Sequence, residues 1–114
     1  MKLFHNPACS KSRQALALLE ERGARFELVE YLKAPPDRAT LTSLLGRLDA
    51  EPSALVRRDK RFRELGLADA DCTTDAQVVT VLLEHPELME RPVLDRGDRA
   101  VIGRPPEKVL DLLD

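Results

Sequence analysis

The first 31 residues alternate between two hydrophobic patterns, and this alternation constrains the fold more than any other feature of the chain. Residues 1–5 are short and apolar and predict a strand. A helical pattern of apolar residues then begins from Ser10, and it stops at Gly23, a residue typical of helix termination. Residues 25–31 alternate again and predict a second strand. Two strands joined by one helix form a βαβ unit, so we expect them to be parallel, with a right-handed crossover.

The centre of the chain, residues 34–86, predicts a series of helices. Asp37 is suited to cap a leucine-rich helix, and Pro52 is suited to the first turn of a short helix that follows. Thr73 or Thr74 then caps a further helix. No repeat or linker sets these helices apart from the segments on either side. We therefore interpret them as an insertion into a single domain that spans residues 1–114.

The last part of the chain predicts two strands and a helix. Residues 93–95 predict a strand, Arg96-Gly97-Asp98 predicts a hairpin turn, and residues 99–102 predict the returning strand. The prolines at 105 and 106 then begin a final helix. The predicted order is therefore β-α-β, several helices, and β-β-α, which indicates an α/β protein.

The composition limits the classes of partner. The 18 basic and 20 acidic residues give a formal charge of −2, which does not favour nucleic acid. Arginine supplies 13 of the basic residues, an excess that suits oxyanion binding but that a genomic codon bias would also produce. The sequence shows no apolar run of membrane-spanning length, no signal peptide and no disulfide framework. We therefore expect a cytoplasmic protein that binds neither nucleic acid nor membranes.

Cys9 stands where the first strand has ended and the first helix begins. The free N–H groups and positive dipole end of a helix N-terminus stabilise an anion, which lowers the pKa of a thiol and favours the nucleophilic thiolate. Nearby side chains offer positive charge, or hydroxyls able to donate to the sulfur: His5, Ser10, Lys11, Ser12 and Arg13. The alternative is an inert buried cysteine, because free cysteine is among the most buried residue types.

The residues around Cys9 exclude two known kinds of loop. Residues 6–12 contain no glycine, so they do not form a nucleotide-binding phosphate loop. Ser12 stands where the second cysteine of a C-x-x-C pair would be, so a second thiol must come from another molecule or from a distant cysteine. The other cysteine, Cys72, precedes a helix in a polar stretch, and we expect it to be a bystander. No compact Cys/His spacing is present, and we predict no metal site.

Several motifs together resemble one family. The segment H-N-P-A-C-S-K-S-R at residues 5–13, followed by E-R-P-V at 90–93 and I-G-R-P-P-E at 102–107, closely resembles the glutaredoxin-linked arsenate reductases. The S-K-S-R tail is most similar to a small branch of that family, since the arsenic-resistance branch typically has Gly-Thr-Ser-Arg there. The resemblance implies a thioredoxin-like fold, in which a four-stranded mixed sheet carries a helical insertion between its βαβ and ββα halves.

The resemblance also implies a reaction and a set of site residues. Cys9 corresponds to the nucleophile that forms a covalent adduct with arsenate, and Arg57, Arg91 and Arg104 correspond to the oxyanion-binding arginines. Glutathione as co-substrate attacks the adduct, and glutaredoxin completes the reduction to arsenite. The protein is expected to hold no bound cofactor and to be a monomer. The supporting residues implied are His5, Asn6, Ser10, Ser12, Arg13 and Pro92, the last in a cis peptide facing the cysteine. By contrast, we expect Arg58 to be a surface charge.

Two other functions are compatible with parts of the pattern. A general glutathione-linked thiol–disulfide reductase would share Cys9 and the fold, but would reduce mixed disulfides rather than arsenate. Spx-type transcription regulators, which bind RNA polymerase, share the architecture as well. Those regulators usually carry a C-x-x-C redox switch, and Ser12 argues against this assignment.

Overall fold

The computed structural model describes residues 1–113, which fold into a four-stranded sheet with helices on both of its faces. The strands are β1 (Lys2–His5), β2 (Glu27–Glu30), β3 (Val93–Asp95) and β4 (Ala100–Ile102). The α-helices are α1 (Ser10–Glu21), α2 (Arg38–Arg47), α3 (Lys60–Glu64) and α4 (Asp75–Glu84). Short 3₁₀ helices cover Pro52–Leu55, Asp69–Cys72, Pro86–Leu88 and Pro106–Leu112.

The sheet is mixed, with the strand order β2-β1-β3-β4. Strands β1 and β2 are parallel, with Leu3 opposite Leu28, as the βαβ pattern predicts. Strands β1 and β3 are antiparallel, as are β3 and β4. The hairpin turn between β3 and β4 lies where the sequence predicts it, and Gly97 adopts a φ of 105° that favours glycine. The predicted four-stranded mixed sheet is therefore confirmed.

The two faces of the sheet are buried against different helices because side chains alternate along each strand. Leu3 and Leu94 point to one face, where they pack with Ala15 and Leu19 of α1 and with the C-terminal 3₁₀ helix. Phe4 and Val93 point to the other face and pack in a second cluster with side chains of α2 and α4. The central helices thus complete one side of the sheet, which is the arrangement expected of an insertion.

Some boundaries differ from the prediction. The second strand covers only Glu27–Glu30 rather than residues 25–31, because the chain turns where the N–H groups of Lys33 and Ala34 bond to the carbonyl of Glu30. The final helix is a 3₁₀ helix that begins at Pro106. Thr74, rather than Thr73, caps α4 by accepting a hydrogen bond from the N–H of Gln77. None of the helices within residues 1–113 is long and apolar enough to cross a lipid bilayer.

A buried ion pair ties the insertion to the sheet. Arg47 at the end of α2 donates from Nε and Nη2 to the two carboxylate oxygens of Asp95 in β3, at 2.7 and 2.6 Å. Asp95 also accepts from the N–H of Gly97 and is 6% exposed. Burial raises the pKa of the Asp95 carboxyl, but the Arg47 hydrogen bond, the N–H of Gly97 and the positive charges of Arg47 and Lys2 outweigh burial and lower the pKa overall. Asp95 therefore contributes stability as a carboxylate.

We expect Arg47→Met to lower the free energy of unfolding at neutral pH by about 3 kcal/mol, because it leaves a buried carboxylate without its cation. The depressed pKa means that the stabilisation is present above the unfolded-state pKa and is lost as pH falls through the carboxylate range. The difference between wild type and variant should therefore shrink in acid. Urea unfolding at neutral and acidic pH measures both effects. The exposed Arg99–Asp49 pair supplies the control, since Arg99→Met should cost less than about 1 kcal/mol.

Candidate active site

The loop after β1 places Cys9 at the N-terminus of α1. Cys9 is the N-cap residue, with φ −96° and ψ 123°, and its N–H donates to the carbonyl of Asn6 at 3.0 Å. The Asn6 side chain accepts from the N–H of Ala8 at 2.9 Å, which closes the loop on itself. Arg13 donates from Nη1 to the carbonyl of Pro7 at 2.9 Å. The loop is thus held by its own side chains, and the thiol lies at the first turn of the helix.

His5 and Ser12 form a buried pair beneath the loop. Their Nδ1 and Oγ atoms are 2.6 Å apart, and Ser12 Oγ also accepts from the N–H of Asn6 at 3.1 Å. Burial lowers the pKa of His5, and the charge of Arg13 acts in the same direction, while Glu30 opposes them. His5 is therefore neutral near neutral pH and adds no positive charge beside the thiol.

These contacts correct part of the sequence interpretation. The hydroxyl of Ser12 was a candidate donor to the sulfur, but it bonds to His5 and to the backbone of Asn6 instead. Arg13 is a candidate source of charge for the thiol in the sequence, and in the structure its guanidinium donates to the carbonyl of Pro7 and shapes the loop. Ser10 is exposed at the start of α1. Short spacing along a helix brings residues near the cysteine without fixing which way their side chains turn.

The electrostatic surroundings of Cys9 favour the thiolate. Partial burial raises the pKa of the Cys9 thiol. However, the backbone N–H of Ser12, the guanidinium of Arg91 and the backbone N–H of Lys11 outweigh burial, so its pKa is lowered overall. Arg104 adds a further donor, since its Nη2 lies 3.5 Å from Cys9 Sγ. A partly exposed thiol with a lowered pKa is the setting of a reactive cysteine.

We expect the thiolate of Cys9 to form with a midpoint below the pKa of about 8.5 of an unperturbed cysteine. Thiolate absorbance, or the rate of alkylation by iodoacetamide, measured against pH gives this midpoint. A Cys72→Ser background isolates the signal of Cys9, and burial raises the pKa of Cys72 in the opposite direction. A midpoint at or above the unperturbed value would contradict this account of the helix N-terminus and Arg91.

Arg91, just before β3, and Arg104, just after β4, lie together at the open end of the β3–β4 hairpin and converge there on the thiol. Arg104 is held by a hydrogen bond from its Nε to the carbonyl of Arg91 at 2.9 Å. The Nε of Arg91 is buried and has no hydrogen-bond partner among the described residues. Buried polar groups are nearly always paired, so an unpaired guanidinium donor next to a thiol is suited to an anionic ligand.

Arg57 joins this cluster through an intermediate carboxylate. Its Nε lies 3.7 Å from Glu90 Oε1, and that same oxygen lies 3.1 Å from Arg104 Nε. The backbone fixes Arg57 beside this segment, because its N–H donates to the carbonyl of Leu88 at 2.8 Å. The structure therefore brings the three predicted arginines into one connected group, in which Arg91 and Arg104 are the ones that act directly on Cys9.

The neighbouring Arg58 has a different role. It pairs with Asp69 at 2.6 Å, donates to the carbonyls of Ser53 and Val56, and lies over the ring of Phe62. These contacts hold the insertion together at the surface, where the Arg58 side chain is 37% exposed. The prediction that Arg58 is a surface charge is confirmed.

The structure also locates the two remaining residues discussed from the sequence, Pro92 and Cys72. The Arg91–Pro92 peptide is cis, as the resemblance implies, and Pro92 is buried. A second cis peptide, Arg104–Pro105, had no sequence prediction. Cys72 ends the short helix before α4, and its side chain is fully buried in the insertion core. Both cysteines are free.

Two residues of the site escaped the sequence analysis. Glu90 contacts two of the arginines, and its only sequence signal is its place directly before Arg91. Tyr31 is fully buried, with its hydroxyl 3.5 Å from the carbonyl of Met89. Burial raises the pKa of Tyr31 overall, although Arg91, Asn6 and Arg57 oppose this. No group of three or more metal-binding side chains is found within residues 1–113.

Comparisons with known proteins agree with this geometry. A model of the ArsC family matches residues 4–112. An arsenate reductase of Neisseria meningitidis is 42% identical over 96% of this chain and 94% of its own length. An uncharacterized Escherichia coli protein, YfgD, is 43% identical over 99% of this chain and 96% of its own.

Solved structures agree in fold as well. An arsenate reductase from Vibrio cholerae superposes with a TM-score of 0.87 and 38% identity, covering 99% of this chain and 98% of that one. A putative arsenate reductase from Yersinia pestis gives a TM-score of 0.85 at 38% identity, covering 97% and 98%. These neighbours confirm the thioredoxin-like fold with its mixed sheet and inserted helices. By sequence and by fold, the chain belongs to the ArsC family.

Proposed function

We propose that this protein is an arsenate reductase that uses Cys9 as its nucleophile and obtains its second thiol from glutathione. The observation that carries the proposal is the thiol of lowered pKa, which lies 3.5 Å from one guanidinium and beside another whose buried Nε has no hydrogen-bond partner within residues 1–113. Relatives named arsenate reductases, at about 40% identity along the whole chain, support the substrate.

The chemistry follows from the charges at the site. A thiolate that approaches an arsenate anion is repelled, and the guanidinium groups offset this repulsion and hold the oxygens by charge-assisted hydrogen bonds. Cys9 attacks arsenic, an As–S bond forms, and one arsenate oxygen leaves as water after protonation. The adduct still contains As(V), so no electrons have moved at this stage.

Reduction needs a second thiol. Ser12 occupies the position of a resolving cysteine, and Cys72 is fully buried in the insertion core, so an external thiol is required. Glutathione attacks the adduct, and the two thiol sulfurs become a disulfide as As(V) takes up two electrons and leaves as arsenite. Glutaredoxin and a further glutathione then reduce the mixed disulfide and return Cys9 to its thiol. This scheme needs no bound cofactor and no metal.

The experiment that tests this function compares two substrates for one enzyme. Arsenate and a small glutathione mixed disulfide are each supplied with glutathione, glutaredoxin, glutathione reductase and NADPH. With arsenate, we expect adding this protein to raise the rate of NADPH oxidation well above the rate without it. With the disulfide, we expect adding this protein to change the rate little from that of glutaredoxin alone. The reverse result would assign the protein as a general thiol–disulfide reductase. Retention of an RNA polymerase subunit by the immobilised protein, without arsenate turnover, would favour the regulator.

A further inference from the structure

Glu90 is the acidic residue inside the arginine cluster. Its Oε1 lies 3.1 Å from Arg104 Nε and 3.7 Å from Arg57 Nε, and it also accepts from the N–H of Arg91 at 3.2 Å. One oxygen atom thus lies beside the guanidinium groups of Arg57 and Arg104 and accepts from the backbone N–H of Arg91. The Glu90 side chain is only 20% exposed, so these contacts are poorly screened by solvent.

The backbone holds Glu90 at the junction of the segments that supply the arginines. Its N–H donates to the carbonyl of Leu55 at 2.8 Å, and the N–H of Arg57 donates to the carbonyl of Leu88 at 2.8 Å. These two bonds lie on either side of an isolated antiparallel β-bridge that pairs the backbones of Val56 and Met89. The carboxylate is therefore fixed relative to Arg57 before any ligand arrives.

Glu90 Oε1 lies at the Nε edge of the guanidinium groups of Arg57 and Arg104, whereas its contact with Arg91 is to the backbone N–H. The single Nε hydrogen of Arg104 is donated to the carbonyl of Arg91, so Glu90 acts on Arg104, as on Arg57, as an ion-pair partner. An arginine side chain carries five donors in a rigid fork, so a carboxylate at the Nε edge restricts the plane and leaves the terminal Nη donors available. In Arg104, one of those donors, Nη2, lies 3.5 Å from Cys9 Sγ. Glu90 thus orients a donor toward the thiol without occupying it.

The charge of Glu90 has a second consequence. Three guanidinium groups in one cleft would attract any small anion, including phosphate and sulfate, whose charge and tetrahedral shape resemble those of arsenate. A carboxylate among them weakens this attraction equally for all such anions. Arsenate offsets this weaker binding by forming a covalent bond to the Cys9 sulfur, whereas a tetrahedral anion that does not react with a thiol has no such bond to offset it.

We propose that Glu90 is a positioning and selectivity residue: it orients Arg57 and Arg104, and its negative charge keeps unreactive tetrahedral oxyanions from occupying the site. The biological meaning of this selectivity rests on the proposed function, whereas the positioning and the effect on anion binding rest on the contacts of Glu90 alone.

The test uses two variants of Glu90 and a matched control. Glu90→Gln removes the charge but keeps an oxygen acceptor for the arginines, and Glu90→Ala removes both. Glu87→Gln is the control, because Glu87 lies in the preceding 3₁₀ helix and pairs with Arg61 at the surface. Calorimetric titration of each protein with inorganic phosphate measures anion affinity without any arsenate chemistry. Thiolate absorbance against pH then reports the pKa of Cys9. The charged or titratable side chains that act on this thiol are Arg91, Arg104 and Tyr31, and Glu90 is paired with Arg104 and Arg57 behind them.

We expect Glu90→Gln to bind phosphate roughly tenfold more tightly than wild type and to lower the midpoint of Cys9 titration, since one negative charge has left the cluster. Glu90→Ala should lose kcat/KM for arsenate, and the glutamine variant should restore much of it when phosphate is absent. If Glu90 contributed to folding alone, the variants would change the unfolding midpoint, but kcat/KM would not be lost in Glu90→Ala and restored in Glu90→Gln.

Two results would overturn the inference. If Glu90→Gln and Glu87→Gln bind phosphate equally and titrate alike, the charge of Glu90 does not control anion binding. If Glu90→Ala folds and matches wild type in kcat/KM, Glu90 does not position the arginines. If Glu90→Ala fails to fold, phosphate binding by Glu90→Gln still tests whether the charge of Glu90 controls anion binding. Tighter phosphate binding in Glu90→Gln, together with no arsenate turnover by wild type, would support the effect on anion binding and reject the proposed function.

Discussion

Cys9→Ser is expected to lose at least about a thousandfold of the arsenate-dependent rate, because a serine hydroxyl is a weak nucleophile at its free pKa and has no neighbouring base here to activate it. His5, a candidate base below the same loop, is buried and bonded to Ser12. The substitution is nearly isosteric at a half-buried position, so the fold should be retained. The glutaredoxin-coupled assay with arsenate measures the rate, and an unfolding curve verifies the fold.

Cys72→Ser provides the matched control for this loss. Cys72 is fully buried in the insertion core and its pKa is raised by burial, so it is neither exposed nor activated. We expect Cys72→Ser to keep its rate within about twofold of wild type, with a small loss of stability from a buried hydroxyl. Equal loss of activity in both variants would show that Cys72 takes part in the reaction, which the structure argues against.

Arg91→Ala is expected to lower kcat/KM for arsenate by about a hundredfold to a thousandfold, the effect of removing one donor that stabilises a developing anion. Arg91 acts twice in this account. It lowers the pKa of Cys9, and its buried Nε, which bonds to no other group in the described part of the chain, is suited to an oxyanion. Loss of the residue should therefore reduce both the thiolate fraction and the binding of arsenate.

The two effects of Arg91→Ala are separable by pH. Raising the pH restores the thiolate but not the lost donor, so the variant should recover only part of its activity in alkaline buffer. Arg58→Ala is the control, since Arg58 pairs with Asp69 and covers Phe62 away from the thiol. Its kcat/KM should stay within about twofold of wild type. Similar losses in both arginine variants would reject the specific role of Arg91.

The fold was accessible from the sequence where a local pattern determines the structure. The helical spacing after Ser10 and the glycine at 97 both specify backbone geometry within a few residues, and the structure agrees at both places. The end of the second strand was not accessible, because it depends on a turn in which Lys33 and Ala34 bond back to Glu30. Such turns carry little hydrophobic signal.

The site shows the same division. Cys9 was identifiable because its place at a helix start is a local property, but the convergence of Arg91 and Arg104 on it follows from the sheet and was available only through a family resemblance. Glu90 was missed because a glutamate next to an arginine is ordinary on a surface. Its importance comes from contacts with Arg57 and Arg104, which lie far from it in sequence. The Ser12 hydroxyl was misassigned because spacing does not specify its rotamer.

The central claim is that Cys9 reduces arsenate with electrons from glutathione. The most direct test is to measure NADPH consumption and arsenite formation together, in the presence of glutathione, glutaredoxin and glutathione reductase, with wild type and with Cys9→Ser. The account predicts that wild type consumes NADPH and forms arsenite in equal amounts, while Cys9→Ser does neither above background. Absence of arsenite with wild type, or the same arsenite yield with Cys9→Ser, would contradict it.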